Sequence, residues 1–172
     1  MKGVEKFTIG NTLVGDGAPA FIIAELSANH LHCLENALEL VRLAAASGAD
    51  AFKIQTLTPD TMTIDCDADP FVIKDSSPWS GRRLYDLYSE TPLPYSWHEI
   101  IIQECERCGL EWFSTPYDQT AVDFLDQFNP PAYKIASFEI VDIPLIRYVA
   151  SKGRPVIIST GIANLIDIHD AV

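Results

Sequence analysis

A lysine set inside an apolar strand constrains this chain more than any other feature, and it occurs twice. Lys134 sits within Ala132-Tyr133-Lys134-Ile135-Ala136, and Lys53 within Ala51-Phe52-Lys53-Ile54-Gln55. An ammonium group is costly to bury, so each needs a carboxylate partner, a solvent-lined cavity or an anionic ligand. Side chains alternate along a strand, which puts Lys134 on one face with Ala132 and Ala136 and turns Tyr133 and Ile135 to the other. The small neighbours leave room beside the ammonium, and Ser137 and Glu139 follow where the run ends. An ion pair between Lys134 and a carboxylate on a neighbouring strand is the structural alternative to a ligand site.

Three further runs end the same way. Phe21-Ile22-Ile23-Ala24 stops at Glu25; Glu111-Trp112-Phe113 stops at Ser114-Thr115; Pro155-Val156-Ile157-Ile158 stops at Ser159-Thr160-Gly161. Five candidate strands with ligand-binding groups at their ends point to a shared rim. Helical periodicity fills the gaps, in Leu34-Ala37-Leu38-Val41-Ala44-Ala45 before Gly48, in residues 96–108 before Gly109, in 120–128 before Asn129-Pro130-Pro131, and in 144–151 before Gly153. Asn164 is placed to cap one more helix. A helical crossover makes consecutive strands parallel.

This pattern predicts an α/β fold comprising the N-terminal five strand–helix units of a (β/α)8 TIM barrel, truncated before the remaining units. Its inward residues are expected to include Phe21, Ile23, Val156 and Ile158. A doubly wound open sheet is the alternative, but no G-x-G-x-x-G follows the first strand, and polar groups end nearly every strand rather than one switch point. Residues 1–20 read as a hairpin turning at Gly10-Asn11, and residues 21–172 as the partial barrel. Residues 56–95 form a long excursion carrying Trp79, Arg82, Arg83, Tyr85 and Tyr88, read either as a substrate loop or as a surface insertion packed by its own aromatics.

The 172 residues carry a formal charge of −12, which argues against nucleic acid and anionic membrane as partners. Anion binding in such a chain needs local cations, and the two strand lysines are well placed. Nothing at the start resembles a signal peptide, no apolar run is long enough to span a bilayer, and four cysteines make no dense disulfide framework; the expected setting is cytoplasmic. Cys105-x-x-Cys108 lacks a second pair, so both read as packed thiols rather than zinc ligands.

The strand ends, as a set, resemble the sialic acid synthase family. The matching stretches are Phe21 through His30 (with Glu25-Leu26-Ser27-Ala28-Asn29-His30), Phe52-Lys53-Ile54-Gln55-Thr56, Phe113-Ser114-Thr115-Pro116, Tyr133 through Glu139, and Ile158-Ser159-Thr160-Gly161. The Ser-Ala-Asn-His loop and Leu84-Tyr85-Asp86-Leu87-Tyr88 resemble its pseudaminic acid branch more than its N-acetylneuraminate branch. The resemblance implies condensation of phosphoenolpyruvate with an open-chain 2,4-diacetamido-2,4,6-trideoxy-hexose, phosphate leaving by C–O cleavage. It assigns Lys53, Thr115, Lys134 and Ser137 to phosphoenolpyruvate, Glu25 to the sugar and Glu139 to proton transfer. Gln55, Asn29, His30, Arg82 and Tyr85 are further candidate substrate contacts.

The resemblance also implies a divalent metal, Mn or Mg, whose ligands in the family fall beyond Val172, together with a C-terminal antifreeze-like domain and a homodimer. An isolated chain of these residues is therefore expected to be inactive. N-acetylneuraminate or legionaminate synthesis, a Schiff-base aldolase using Lys134, and a non-catalytic half-barrel are the competing expectations. Lysines near Glu139 are expected to lower its pKa.

Overall fold

The computed structural model describes residues 6–172, so Met1–Glu5 of the expected hairpin region lie outside it. Strands β1 (Phe7–Ile9) and β2 (Thr12–Val14) pair antiparallel around Gly10, whose φ of +57° is the left-handed conformation that the turn requires. Strands β3 (Ile23–Glu25), β4 (Ala51–Thr56), β5 (Glu111–Pro116), β6 (Tyr133–Ile135) and β7 (Val156–Ile158) then form one parallel sheet in sequence order. The crossovers run through α1 (Leu34–Ala46), α4 (His98–Arg107), α5 (Gln119–Asp126) and α6 (Ile143–Ala150). Both α5 and α6 begin on the expected chemistry: Asp118 and Asp142 accept from backbone N–H groups of the first turn. A final helix, α7 (Leu165–Ala171), is capped by Asn164 as the sequence suggests.

Alternation sorts the strands' side chains onto two faces. Outward, Phe52, Ile54, Trp112, Tyr133 and Ile135 pack with Val41, Ile101, Leu125 and Val149 of the helices. Inward, Ala51, Phe113 and Ala132 meet Ile9 of the hairpin, with Phe21, Ile23 and Ile157 against them. This half-barrel arrangement corrects one expectation. Val156 and Ile158 belong to the outer layer, and Ile157 is the inward residue of β7. Cys105 is buried in the outer core, its thiol pushed up to about 12 by burial, while Cys108 is half-buried.

One polar network crosses that outer layer. Thr56 Oγ1 lies 2.8 Å from His98 Nε2 and 2.7 Å from Ser114 Oγ, and His98 Nδ1 lies 3.2 Å from the Pro94 carbonyl. It ties the ends of β4 and β5 to the start of α4. With Nδ1–H donating to Pro94, Nε2 accepts from Thr56, so the ring is neutral; burial lowers its pKa to about 4 from 6.5. A depressed histidine contributes its stability above the unfolded value and loses it as pH falls from 6.5 toward 4. The loss is on the order of 3 kcal/mol at the acid end. Denaturant melts between pH 7 and pH 4 should show this decline, and His98→Ala should flatten it while costing about 2–4 kcal/mol at pH 7. An unchanged pH slope in the variant would show that another group carries the transition.

The excursion between β4 and α4 contains α2 (Pro59–Met62), a 3-10 turn at Asp69–Phe71, a bridge between Val72 and Arg83, and α3 (Leu84–Ser89). It is held largely by its own ion pairs: Lys74–Asp69 at 2.6 Å, Arg82–Glu90 at 2.5 Å, and Arg83 to Asp65 and Asp86 at 2.7 and 2.6 Å.

Candidate functional site

Parallel strands in sequence order carry all five polar strand ends to one end of the sheet. The β3–β4 register sets Glu25 directly beside Lys53, and the two form an ion pair at 3.2 Å with Lys53 only 8% exposed. The interstrand carboxylate considered for Lys134 is thus found at Lys53 instead. Lys134 donates to Ser159 Oγ at 2.6 Å and to the carbonyl of Ile135, and among the described residues it has no ion-pair partner. Burial lowers its pKa, the charge of Lys53 adds to the effect, and Glu25 and Glu139 oppose it. Two cations therefore feel one another at the mouth, and the direct hydrogen-bond partners of Lys134 are neutral oxygens. That is an arrangement for receiving an anion.

Hydroxyls flank the lysines. Thr115, 2% exposed, projects from β5 on the same face as Phe113, and Ser137 follows β6. Neither side chain has a hydrogen-bond partner among the described residues. Ser114, by contrast, faces outward into the His98 network. Glu139 lies in the 3-10 turn Phe138–Val141 after β6. Its Oε2 is buried without a partner. Burial raises its pKa and Asp142 adds to that, while its own backbone N–H and Lys134 pull the other way. The expected lowering by lysines is thereby corrected: desolvation outweighs the single cation that acts on it.

Gln55, inward on β4, donates through Nε2 to Tyr117 Oη at 2.7 Å. Tyr117 was not among the sequence candidates, and its only signal was its position directly after the Ser114-Thr115-Pro116 strand end. Its phenol is pushed up to about 12, mainly by burial, with the Gln55 bond opposing and Glu139, Tyr88 and Glu25 adding to the rise.

Other candidates stand elsewhere. Asn29 is exposed on the rim loop, where its side chain donates to the Leu26 carbonyl at 2.9 Å. That loop holds Ser27, Leu31 and His32 at positive φ (48°, 50° and 54°), a strained backbone for non-glycine residues. His30 is buried beneath it, 1% exposed, its ring edge-on to Trp97 and its Nδ1 accepting from the His32 N–H. Arg82 is paired to Glu90, and Tyr85 donates to Asp60 at 3.0 Å. Of the residues in the excursion, Tyr88 acts electrostatically on Tyr117 at the mouth.

The donors gathered at the mouth are lysines and hydroxyls with isolated carboxylates, a set suited to an anion. No group of three or more His, Cys, Asp or Glu among the described residues can hold a metal ion. A separate cavity of about 940 Å³ opens at the opposite end, lined by Gly10, Asn11, Glu111, Pro131 and Arg154. Its bottom is latched by Glu111 Oε1 accepting from the Asn11 N–H at 2.8 Å. No helix among the described residues is long and apolar enough to cross a membrane.

Comparison with known proteins bears out the family resemblance. Residues 40–172 match the NeuB family. The chain is 48% identical over 144 residues to pseudaminic acid synthase of Campylobacter jejuni, an alignment spanning 84% of this chain and 42% of that protein. It is 42% identical over 154 residues to pseudaminic acid synthase of Helicobacter pylori, spanning 90% and 45%. Among solved structures, N-acetylneuraminic acid synthetase from Leptospira borgpetersenii superposes with a TM-score of 0.82 at 26% identity, covering 97% of this chain and 53% of that one. The chain spans less than half the length of either curated relative.

Proposed function

The chain belongs to the NeuB family, and from that premise we propose that it carries the phosphoenolpyruvate-binding side of a nonulosonic acid synthase. The acceptor we assign is a 2,4-diacetamido-2,4,6-trideoxy-hexose, the product pseudaminic acid, in line with the names of its relatives. The observation that carries this reading is the pair Lys53 and Lys134, on the strands either side of β5 and close enough to act on one another, with the unpartnered hydroxyls of Thr115 and Ser137 at the same end of the sheet.

In this reading carbon 3 of phosphoenolpyruvate forms a bond to the aldehyde carbon of the open-chain sugar. The aldehyde oxygen gains a proton, water adds at carbon 2, and the bond from carbon 2 to the ester oxygen breaks to release inorganic phosphate. Lys53 and Lys134 offset the substrate's negative charge, and Thr115 and Ser137 donate to its oxygens. Glu139, held toward its protonated form by burial, supplies the proton to the aldehyde oxygen and recovers one from the attacking water. Glu25 contacts the sugar. The divalent metal implied by the family resemblance would polarise the aldehyde, but the described residues provide no ligand set for it, and no step here passes through it.

The test uses the full-length protein and phosphoenolpyruvate carrying heavy oxygen in its ester bridge. Release of labelled phosphate that requires the diacetamido hexose is expected; label retained in the sugar acid, or release independent of the sugar, would contradict the mechanism. The lowered pKa of Lys134 favours one rival, an imine-forming aldolase. Borohydride should leave no adduct on Lys134 in the presence of pyruvate, and a trapped adduct would replace the condensation with that chemistry.

A further inference from the structure

Three side chains that touch no substrate in the condensation above, Thr56, Ser114 and His98, are wholly buried where β4 and β5 end. His98 Nδ1 donates to the Pro94 carbonyl at 3.2 Å, and its Nε2 accepts from Thr56 Oγ1 at 2.8 Å. Thr56 is the last residue of β4, where the excursion leaves the sheet. Pro94 precedes the turn Tyr95–Trp97, through which the chain returns to α4. One ring therefore spans both roots of the excursion. Tyr95 and Phe124 enclose it, their ring centroids 5.5 and 5.1 Å away. Thr56 gives its single proton to Nε2, so the proton between Thr56 and Ser114, 2.7 Å apart, comes from Ser114, which also faces the Ile54 carbonyl at 3.2 Å. A bond missing from this chain would orphan a polar group in an apolar layer, so its members hold one another in place.

Thr115 follows Ser114 on β5 and points to the opposite face of the sheet. The β5–β6 register stops at Ser114 opposite Tyr133. Past that point β4 is the one strand in register with β5 among the described residues, with Gln55 opposite Thr115 and Thr56 opposite Pro116. Pro116 has no N–H to add to that ladder. Side-chain bonds at Ser114 therefore supply alignment where the ladder thins out. We infer that His98 is a positioning residue for phosphoenolpyruvate: through Thr56 and Ser114 it fixes the end of β5, and with it the hydroxyl of Thr115. This rests on the assignment of Thr115 to phosphoenolpyruvate under the proposed function. A shift of about 1 Å at such a donor is enough to spoil its bond to a substrate oxygen.

The experiment is a double-mutant cycle of Thr56→Val and Thr115→Val in the full-length protein. Calorimetry reads phosphoenolpyruvate affinity, and steady-state kinetics at saturating phosphoenolpyruvate read the KM for the diacetamido hexose. Both substitutions keep the β-branched shape and exchange a hydroxyl for a methyl; thermal melts verify that each variant is folded. Thr56→Val should weaken phosphoenolpyruvate binding about fivefold and move the hexose KM by no more than about twofold. Thr115→Val should weaken phosphoenolpyruvate binding about tenfold. Adding Thr56→Val to it should change nothing further, because the hydroxyl being positioned is already gone. His98→Gln, whose side-chain carbonyl offers Thr56 an acceptor, should bind phosphoenolpyruvate more tightly than His98→Leu, which offers none. Thr56→Val breaks the bond to His98 without touching the ring, so the cycle decides even where a His98 variant fails to fold. Unchanged affinity in Thr56→Val overturns the inference, as do additive losses in the double variant, an equal rise in the hexose KM, or equal binding by two folded His98 variants. Wild-type affinity in Thr115→Val sinks the parent assignment of that hydroxyl, and this inference with it. A loss at Thr115 with none at Thr56 sinks the positioning role alone.

Discussion

Lys134→Met in the full-length protein should weaken phosphoenolpyruvate binding by about 100-fold and leave little turnover. The methionine approximates the lysine's length and apolar stem, so the substitution removes charge and donors with little change in packing. The expected size follows from the partners of Nζ. Both are neutral oxygens, Ser159 Oγ and the Ile135 carbonyl, so among the described residues no carboxylate is ion-paired with the charge that would meet the ligand. Lys53→Met should cost less in direct binding, about tenfold, because Glu25 already takes part of that charge at 3.2 Å. That variant also leaves Glu25 without its partner, so a sugar-dependent defect should accompany it. Calorimetry with phosphoenolpyruvate reads both effects. Unchanged affinity in both variants would remove the lysines from the site, and a larger loss at Lys53 than at Lys134 would reverse their assigned weights.

The second large effect is expected at Glu139. Glu139→Gln should reduce turnover by about 100- to 10,000-fold, the range for losing a positioned proton donor. The same change should raise the melting temperature at neutral pH. Burial raises the pKa of Glu139 above its unfolded value, so its contribution to stability is full below the ordinary carboxylate range and is lost as pH rises through the raised value. Glutamine cannot ionise and avoids that loss. Turnover in the wild type should correspondingly decline as pH rises through the same value, where the acid form is depleted. Retained turnover would show that Glu139 is not the proton donor, and a variant that melts lower than wild type at neutral pH would show that the orphaned Oε2 is not a source of strain.

How far these features could be read from sequence depended on whether a local pattern encodes them. The five strands, their parallel order and the polar mouth were legible because each apolar run stops at a polar residue and is followed by a helical period. The direction of β7 was not. Val156-Ile157-Ile158 is uniformly apolar, so no alternation reveals that Ile157 alone faces inward with Ser159. The lysines were conspicuous, but which one finds a carboxylate depends on the Glu25–Lys53 register, a pairing between separate segments. Glu139 was singled out from its place after the Lys134 strand, yet its titration depends on how the following turn buries it. Tyr117 stayed hidden because its meaning comes from Gln55, 62 residues earlier in the chain. His30 was visible as a polar loop residue, and only the fold shows that it is buried against Trp97, with its Nδ1 accepting from the His32 N–H.

The excursion after β4 should respond to ionic strength differently from the rest of the molecule. Its connections, Lys74–Asp69, Arg82–Glu90, Arg83–Asp65 and Arg83–Asp86, are solvent-accessible ion pairs, each worth little alone and screened by added salt. The sheet beneath is held by backbone hydrogen bonds and apolar contacts that salt does not weaken. High salt should therefore loosen this segment while the strands stay folded, and a protease should cut there first. Because Tyr88 travels with the segment, the mouth would lose one wall with its floor intact: salt becomes a handle for opening the site from the side.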